Sequence, residues 1–106
     1  CLTIYPQKEW LLLAEKLSSL PIAKANSRAF NRFMLSGAID VRIDKQGRVV
    51  IPEYLRDYAS LKKRAVIVGL FNKLEVWSEE QWLKYRARTE KNSNEIAEKL
   101  GEIDSI

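Results

Sequence analysis

The spacing of the apolar residues changes along the chain between that of a strand and that of a helix, and each change indicates a new element. The opening "LTIY" alternates like a strand, and Pro6 follows where a first helical residue needs no N–H. A helix is predicted through "QKEWLLLAEKLSSL" as far as Pro21. Asn26 or Ser27 is predicted to cap a second helix, "SRAFNRFMLS", which carries apolar residues at i, i+3 and i+4.

A short hairpin with a polar turn is predicted next, in the stretch "AIDVRIDKQGRVVIP", and we call residues 38–52 the tip hairpin. Its first arm has period two, with Ile39, Val41 and Ile43 on one face, and "RVVI" is predicted as the second strand. Five consecutive polar or glycine residues, Asp44 to Arg48, lie between the arms.

The second half of the chain repeats this alternation of hairpin and helix. Pro52 begins a short helix, and "AVIVGL" and "KLEVW" are predicted to form a second hairpin, the sheet hairpin (residues 65–78). Ser78 and Gln81 have the spacing of a capping box at the start of a long helix. That helix either continues to the end or breaks near "NSNE" and resumes through "IAEKL". The order predicts an α+β fold of short antiparallel hairpins with flanking helices, without a glycine-rich phosphate loop.

Two segments 72 residues apart indicate an internal repeat. "LTIYPQKEWL" matches "LEVWSEEQWL", with identity at Leu2 and Leu74 and at Trp10 and Trp82. Chance similarity between two strand–helix units is the alternative. If the repeat is real, a second tip hairpin is expected upstream of Cys1, and the sequence is expected to be a fragment of a longer protein with two such hairpins.

Composition limits the chemistry that is open to the chain. Among the 106 residues, 46% are hydrophobic and 30% charged, which is typical of one globular domain. With no His and one Cys, His-based triads, common zinc sites and an intrachain disulfide are excluded, and a reducing cytoplasm is favoured. An enzyme using Asp40 and Asp44 is disfavoured because one hairpin supplies neither a cleft nor a base. No catalytic residue, metal, cofactor or membrane segment is predicted.

The net charge of +4 is unevenly distributed. Residues 95–106 contain four acidic residues and one lysine, so the rest of the chain is more basic than the total suggests. A basic body favours a polyanionic partner, although solubility alone explains such a charge equally well.

The polar turn of the tip hairpin has the residue types of a DNA-reading loop. Asp44 can accept backbone N–H bonds, and Gly47 can supply a positive φ, so both are predicted to structure the turn. Arg48 has a planar fork that suits phosphate or the O6/N7 edge of guanine. Lys45 and Gln46 at the apex add a phosphate contact and a base-reading amide. The alternative is an ordinary solvated turn.

The sequence does not decide the roles of three further features. Arg42, one pleat before the turn, is predicted to extend its basic surface. The tryptophans, including Trp77, favour core or subunit contacts over a base-stacking platform. The basic run at residues 62–64 suits either a phosphate clamp or the charge that favours a helix C-terminus.

"DKQGRVVIP" followed by "LRDYASL", together with "LPIAKANSRAFNRFMLSGAIDVRIDKQGRVVIP" and "VGLFNKLEVWSEEQW", resembles the MraZ family of bacterial transcriptional regulators, in the AbrB-like swapped-hairpin class. The resemblance extends to about Arg88. It implies two tandem Asp-x-x-x-Arg units, of which the second falls on Asp44 and Arg48 and the first is absent here. It also implies DNA contacts by Arg48 and Lys45.

The same resemblance implies a domain arrangement, an assembly and a target. It implies swapped-hairpin β-barrel half-units: residues 1–36 as the remainder of the first repeat, residues 37–92 as the complete second repeat, and residues 93–106 as a helical tail. It implies cytoplasmic, nucleoid-associated, ring-like homo-oligomers that bind repeated sites in double-stranded DNA upstream of the division and cell-wall gene cluster. The alternative is a DNA-binding antitoxin of this class whose tail also binds a protein toxin.

Overall fold

A computed structural model describes residues 1–101 of the chain. Its strands and helices follow the order predicted from the sequence, except that the tip hairpin contributes no strand. They are β1 (Leu2–Ile4), α1 (Gln7–Ser18), α2 (Ala25–Gly37), α3 (Glu53–Tyr58), β2 (Ala65–Gly69), β3 (Leu74–Ser78), α4 (Glu79–Lys91) and α5 (Ser93–Gly101). The mixed α+β architecture predicted from the sequence is therefore confirmed.

The three strands form one antiparallel sheet in the order β1-β3-β2. The predicted sheet hairpin is confirmed, with Val66 opposite Trp77 and Val68 opposite Glu75. Val76, in the middle of the central strand, is 2% exposed, and Leu17 is also buried. Helix α4 packs against β2 and β3, so a small core forms where the central strand is covered on both edges and on one face.

β1 and β3 pair around an approximate local two-fold axis. Leu2 lies opposite Val76, Thr3 opposite Glu75, and Ile4 opposite Leu74. A shift of 72 residues converts β1 into β3, and under that shift the register maps onto itself with Thr3 and Glu75 at its centre. This symmetry supports the repeat interpretation, because two unrelated strands have no reason to pair at equivalent positions.

The long helix after the sheet begins and breaks where the polar residues indicate. The Ser78 side chain accepts a hydrogen bond from the Gln81 N–H at 3.1 Å, so the predicted N-cap is confirmed. α4 ends at Lys91, Asn92 forms a turn, and α5 then begins, which is the second of the two predicted arrangements. Residues 102–106 of the predicted tail lie outside the described residues.

The predicted cap of the second helix is wrong. Asn26 and Ser27 lie inside α2, which begins at Ala25 without a side-chain cap. The first turn is held differently: the Arg28 N–H donates to the Lys24 carbonyl at 3.1 Å, and Arg28 Nη1 donates to the Ile22 carbonyl at 2.6 Å. The Arg28 side chain therefore ties the start of α2 to the preceding loop.

The two arms of the tip hairpin are extended but are not strands of a sheet, so that part of the prediction is wrong for the isolated chain. The turn is closed, yet the arms beyond it have no backbone ladder among residues 1–101. Ile39 and Ile43 are exposed, and Val50 is 82% exposed. A strand needs a neighbour for its N–H and C=O groups, and the described residues supply none to these arms.

The chain exposes far more surface than its mass requires. Its accessible surface is 9083 Å² for 12.3 kDa. A folded monomer of this mass exposes about 6,100 Å². The radius of gyration is 16.6 Å, against about 13 Å for a compact domain of this length. Within residues 1–101, no helix is both long and apolar enough to cross a membrane.

The C-terminus of α3 has a residue in the left-handed region where glycine is usual. The Leu61 N–H donates to the Arg56 carbonyl at 2.9 Å and the Ser60 N–H donates to the Asp57 carbonyl at 3.1 Å. These are the two hydrogen bonds of a Schellman motif. Ser60 occupies its left-handed position with φ of 56°. Because this conformation crowds a Cβ atom, the serine destabilises the motif.

We expect Ser60→Gly to raise the free energy of unfolding by up to about 1 kcal/mol, since glycine adopts positive φ without the Cβ penalty. Urea unfolding followed by circular dichroism measures the change. Ser36→Gly, on the exposed side of α2, is the matched control and should lower stability by about 0.5 kcal/mol. Equal effects of the two substitutions would contradict the strain at Ser60.

Candidate nucleic-acid interface

The tip hairpin ends in a tight turn that its own backbone closes. The Gly47 N–H donates to the Asp44 carbonyl at 3.0 Å, and the Asp44 N–H donates to the Arg48 carbonyl at 2.8 Å. Gly47 has φ of 79°, as predicted. A four-residue turn followed by a left-handed glycine is a common three-residue hairpin connection. The apex therefore has a defined conformation even though the arms have no sheet partner.

The Asp44 carboxylate holds this turn from inside. Its Oδ1 atom accepts hydrogen bonds from the backbone N–H groups of Gln46 at 2.9 Å and Arg48 at 2.8 Å. Its Oδ2 atom accepts a bond from Arg48 Nε at 2.9 Å. One side chain thus fixes the backbone of the loop and the direction of its arginine.

These donors also keep the carboxylate ionised. The backbone N–H of Arg48 is the main cause that lowers the pKa of Asp44 below its ordinary value, with partial desolvation acting against it. The Arg48 side chain and the Gln46 N–H lower the pKa of Asp44 further. At neutral pH the tip therefore contains a stable carboxylate–guanidinium pair.

Arg48 is held on one side and open on the other. Its Nε is occupied by Asp44, whereas the two Nη groups make no hydrogen bond to residues 1–101. Its side chain is 74% exposed. The pair is too solvated to be a major source of stability. Its effect is geometric, because it presents the Nη edge of the fork outward.

The structure brings the other predicted contact residues to the same end of the hairpin. Lys45 and Gln46 lie at the apex and Arg42 lies on the first arm, all of them exposed. None of these three side chains makes an ion pair within the described part of the chain. Asp40 lies on the same arm, and the sequence-based objection to a catalytic role for it stands.

Two other candidate sites are not part of the tip. The basic residues 62–64 line a shallow hollow beside Ser78 and Glu79, at the start of α4. Trp77 is half-buried, with its ring edge-on to Trp82 at 5.5 Å between centroids. An edge-on, half-buried pair packs the helix against the sheet and does not form an open stacking platform.

An apolar groove beside the tip hairpin was not predicted from the sequence. It has a volume of about 820 Å³, and its lining includes Ile4, Val41, Ile51, Leu55 and Val76. One feature of the sequence could have indicated this groove. The second arm reads "RVVI", and three consecutive apolar residues are typical of a strand that is covered on both faces. The groove and the exposed arms together form an unfilled core.

Residues 1–101 contain no cluster of three or more metal-ligating side chains. The polar side chains of the tip are an arginine, a lysine, an amide and a carboxylate that is already paired. This set suits an extended anionic ligand with hydrogen-bonding edges, and double-stranded DNA is such a ligand.

Comparison with known proteins gives a consistent result. Residues 34–102 match the family model MraZ, described as "MraZ protein, putative antitoxin-like". Proteins named transcriptional regulator MraZ are similar over most of their length. The one from Natranaerobius thermophilus is 46% identical over 104 residues, covering 98% of this chain and 73% of the relative. The one from Limosilactobacillus reuteri is 53% identical over 100 residues, covering 94% and 70%.

We expect the order of the tip to be lost in acid. Because the folded-state pKa of Asp44 is lowered, its stabilising bonds are complete above the ordinary aspartate pKa of about 3.9 and are lost as the pH falls through the lower folded value. NMR titration of the Gln46 and Arg48 amides measures this. Asp44→Asn is the control and should abolish that titration; its persistence would assign the transition to another group.

Proposed function

Because the chain belongs to the MraZ family of transcriptional regulators, which are not enzymes, we propose that it regulates transcription by binding double-stranded DNA with the tip hairpin. The observation that carries the proposal is the Asp44 carboxylate, which holds the turn and directs the Arg48 fork outward before any ligand is bound. A preorganised donor loses little conformational entropy on binding.

Each residue at the tip has a role in this proposal. The free Nη edge of Arg48 binds guanine O6 and N7, the commonest specific arginine contact in the major groove. Lys45 contacts a phosphate, and Gln46 offers an amide to a base edge. Arg42, further down the arm, neutralises phosphates that flank the site. Asp44 and Gly47 hold the turn and do not touch the DNA.

One tip is too small to find a site by itself. A bidentate arginine–guanine pair discriminates by about 1–3 kcal/mol. Several tips at fixed spacing multiply that preference through effective concentration. The proposed active form is therefore a homo-oligomer, ring-like as the family resemblance implies, bound to repeated sites upstream of the division and cell-wall gene cluster. Its place in the cell is the cytoplasm, on the nucleoid.

The proposed architecture is a swapped-hairpin barrel. Residues 1–36 are the remainder of one repeat and residues 37–92 are the complete second repeat, followed by a tail from residue 93. In such a barrel, the apolar arms of each tip hairpin, which themselves line part of the groove, pair with the arms of another half-unit and so close the groove. The exposed Val50 and Ile43 and the apolar groove support this arrangement. So does the excess surface of about 3,000 Å² on one chain, because each partner contributes about 1,000–2,500 Å² to a large permanent interface.

A second candidate function is an antitoxin that binds both DNA and a protein toxin. The family description favours it in its own words. In the structure, α5 leaves Ile96 and Leu100 exposed on one side. A stable complex of the full chain with a co-expressed toxin would support this function.

We expect Arg48→Ala to weaken binding of a direct-repeat duplex by at least tenfold, because it removes the base-reading fork. Fluorescence anisotropy over a salt series measures it, with a shuffled duplex of equal length for comparison. Arg86→Ala is the matched control, because it removes the same charge from α4. Equal losses in the two variants would overturn tip recognition. If neither duplex is bound, a protein-interaction role becomes the better account.

Asp44→Ala separates preorganisation from simple charge attraction. The substitution makes the protein one unit more positive, so general attraction to DNA predicts tighter binding. We expect the opposite, weaker binding of the repeat duplex, since the arginine loses its support. The same anisotropy titration compares Asp44→Ala with the wild-type protein. Tighter binding of the repeat duplex by Asp44→Ala would contradict the role of the turn.

We expect Val50→Asp to dissociate the homo-oligomer, because it places a charge on an arm that the proposed barrel buries. Analytical ultracentrifugation measures the mass in solution. Ile22→Asp is the control, since Ile22 is 78% exposed and lies outside the tip hairpin. A wild-type chain that is monomeric at all concentrations, or equal dissociation by both variants, would contradict hairpin exchange.

A further inference from the structure

Apolar contacts alone do not determine which strand pairs with the β1 edge of β3. The repeat aligns Leu2 with Leu74 and Ile4 with Val76, so the outer positions of the two strands have the same character. A β3 strand from a second copy therefore offers β3 nearly the same apolar side chains that β1 offers. Burial alone does not separate the two partners.

The two strands β1 and β3 differ in character at the central position of the pair. In the observed register, Thr3 lies opposite Glu75. The register is symmetric under the 72-residue shift. Replacing β1 by β3 of a second copy therefore puts Glu75 directly opposite Glu75 of that copy. Two like charges at directly opposite positions destabilise an antiparallel pair, whereas a β-branched neutral threonine suits a strand.

The Glu75 carboxylate is also held close to its strand. Its Oε1 atom accepts a hydrogen bond from Trp77 Nε1 at 3.1 Å, and its Oε2 atom accepts one from Cys1 Sγ at 3.7 Å. The first of these partners belongs to β3 itself and would persist in a β3–β3 pair. The negative charge would therefore stay near the local two-fold axis.

We propose that the Thr3–Glu75 pair is the specificity determinant that makes β3 select β1 of its own chain over β3 of a second copy. The partner that this edge excludes is an identical chain. The proposal rests on the proposed function in one respect, because it matters only where oligomerisation brings several copies together. Its consequence is that copies associate through the tip hairpins without exchanging the central sheet.

A charge-matched series tests the pair inside one chain. Thr3→Glu should lower the folding equilibrium constant about two- to fivefold, with a smaller loss at high salt. Thr3→Gln, which has the shape of Thr3→Glu without its charge, should lower it clearly less, by the lost strand preference of threonine alone. Adding Glu75→Gln to Thr3→Glu should bring the value back to that of Thr3→Gln. Urea unfolding at constant protein concentration measures all four. Equal losses for Thr3→Glu and Thr3→Gln would overturn the proposal.

A cysteine reporter tests the choice between copies. In a Cys1→Ser background, Glu75→Cys removes the repelling charge and places a thiol on the two-fold axis of a β3–β3 pair. Under oxidation it should give several-fold more disulfide-linked dimer than Glu79→Cys, which is also half-buried but outside β3. Equal dimer yields would overturn the exclusion of second copies. Neither experiment uses DNA, so its failure is distinguishable from a failure of DNA binding.

Discussion

The antiparallel pairing of β1 with β3 joins the start of the chain to a strand 72 residues further on, and the rest of the fold depends on it. Leu2 and Val76 are 74 positions apart in sequence yet directly opposite in the sheet. The pairing places α1 and α4 on related sides of a local two-fold axis. It also covers Val76, the most buried side chain of the core.

The tip turn depends on a different kind of interaction, and this explains why the turn is closed by hydrogen bonds while its arms have no backbone ladder. The bonds from Asp44 connect residues within four positions, so the turn forms with little loss of chain entropy. The arms need long-range partners for their backbone and for Val50 and Ile43. A rigid tip on unpaired arms is consistent with a hairpin that reads DNA at one end and binds a protein half-unit along its length.

The same chain thus has two surfaces with opposite physical character. The tip is basic, solvated and structured by charge, so it contributes little to stability. In the proposed function it supplies specificity. The arms and the groove are apolar, and their burial would supply the stability that the small core lacks. In the proposed assembly, the packing of the apolar surfaces sets the distance between the tips. Because of this fixed distance, repeated DNA sites are bound more tightly than single sites.

The sequence by itself determined the features whose cause is local. The Ser78 cap, the sheet hairpin and the residues of the polar turn are all visible as short-range patterns, because turns and caps are set by neighbouring residues. Tertiary structure decided the rest. The start of α2 depends on an Arg28 contact with the preceding loop, and a helix cap was therefore misassigned. Apolar and polar residues alternate along the arms as they do in strands. This alternation indicates which faces are apolar, but it does not indicate which partner covers them. Only the three-dimensional structure shows that the described residues leave those faces open, since strand pairing depends on a neighbour that a period of two does not specify.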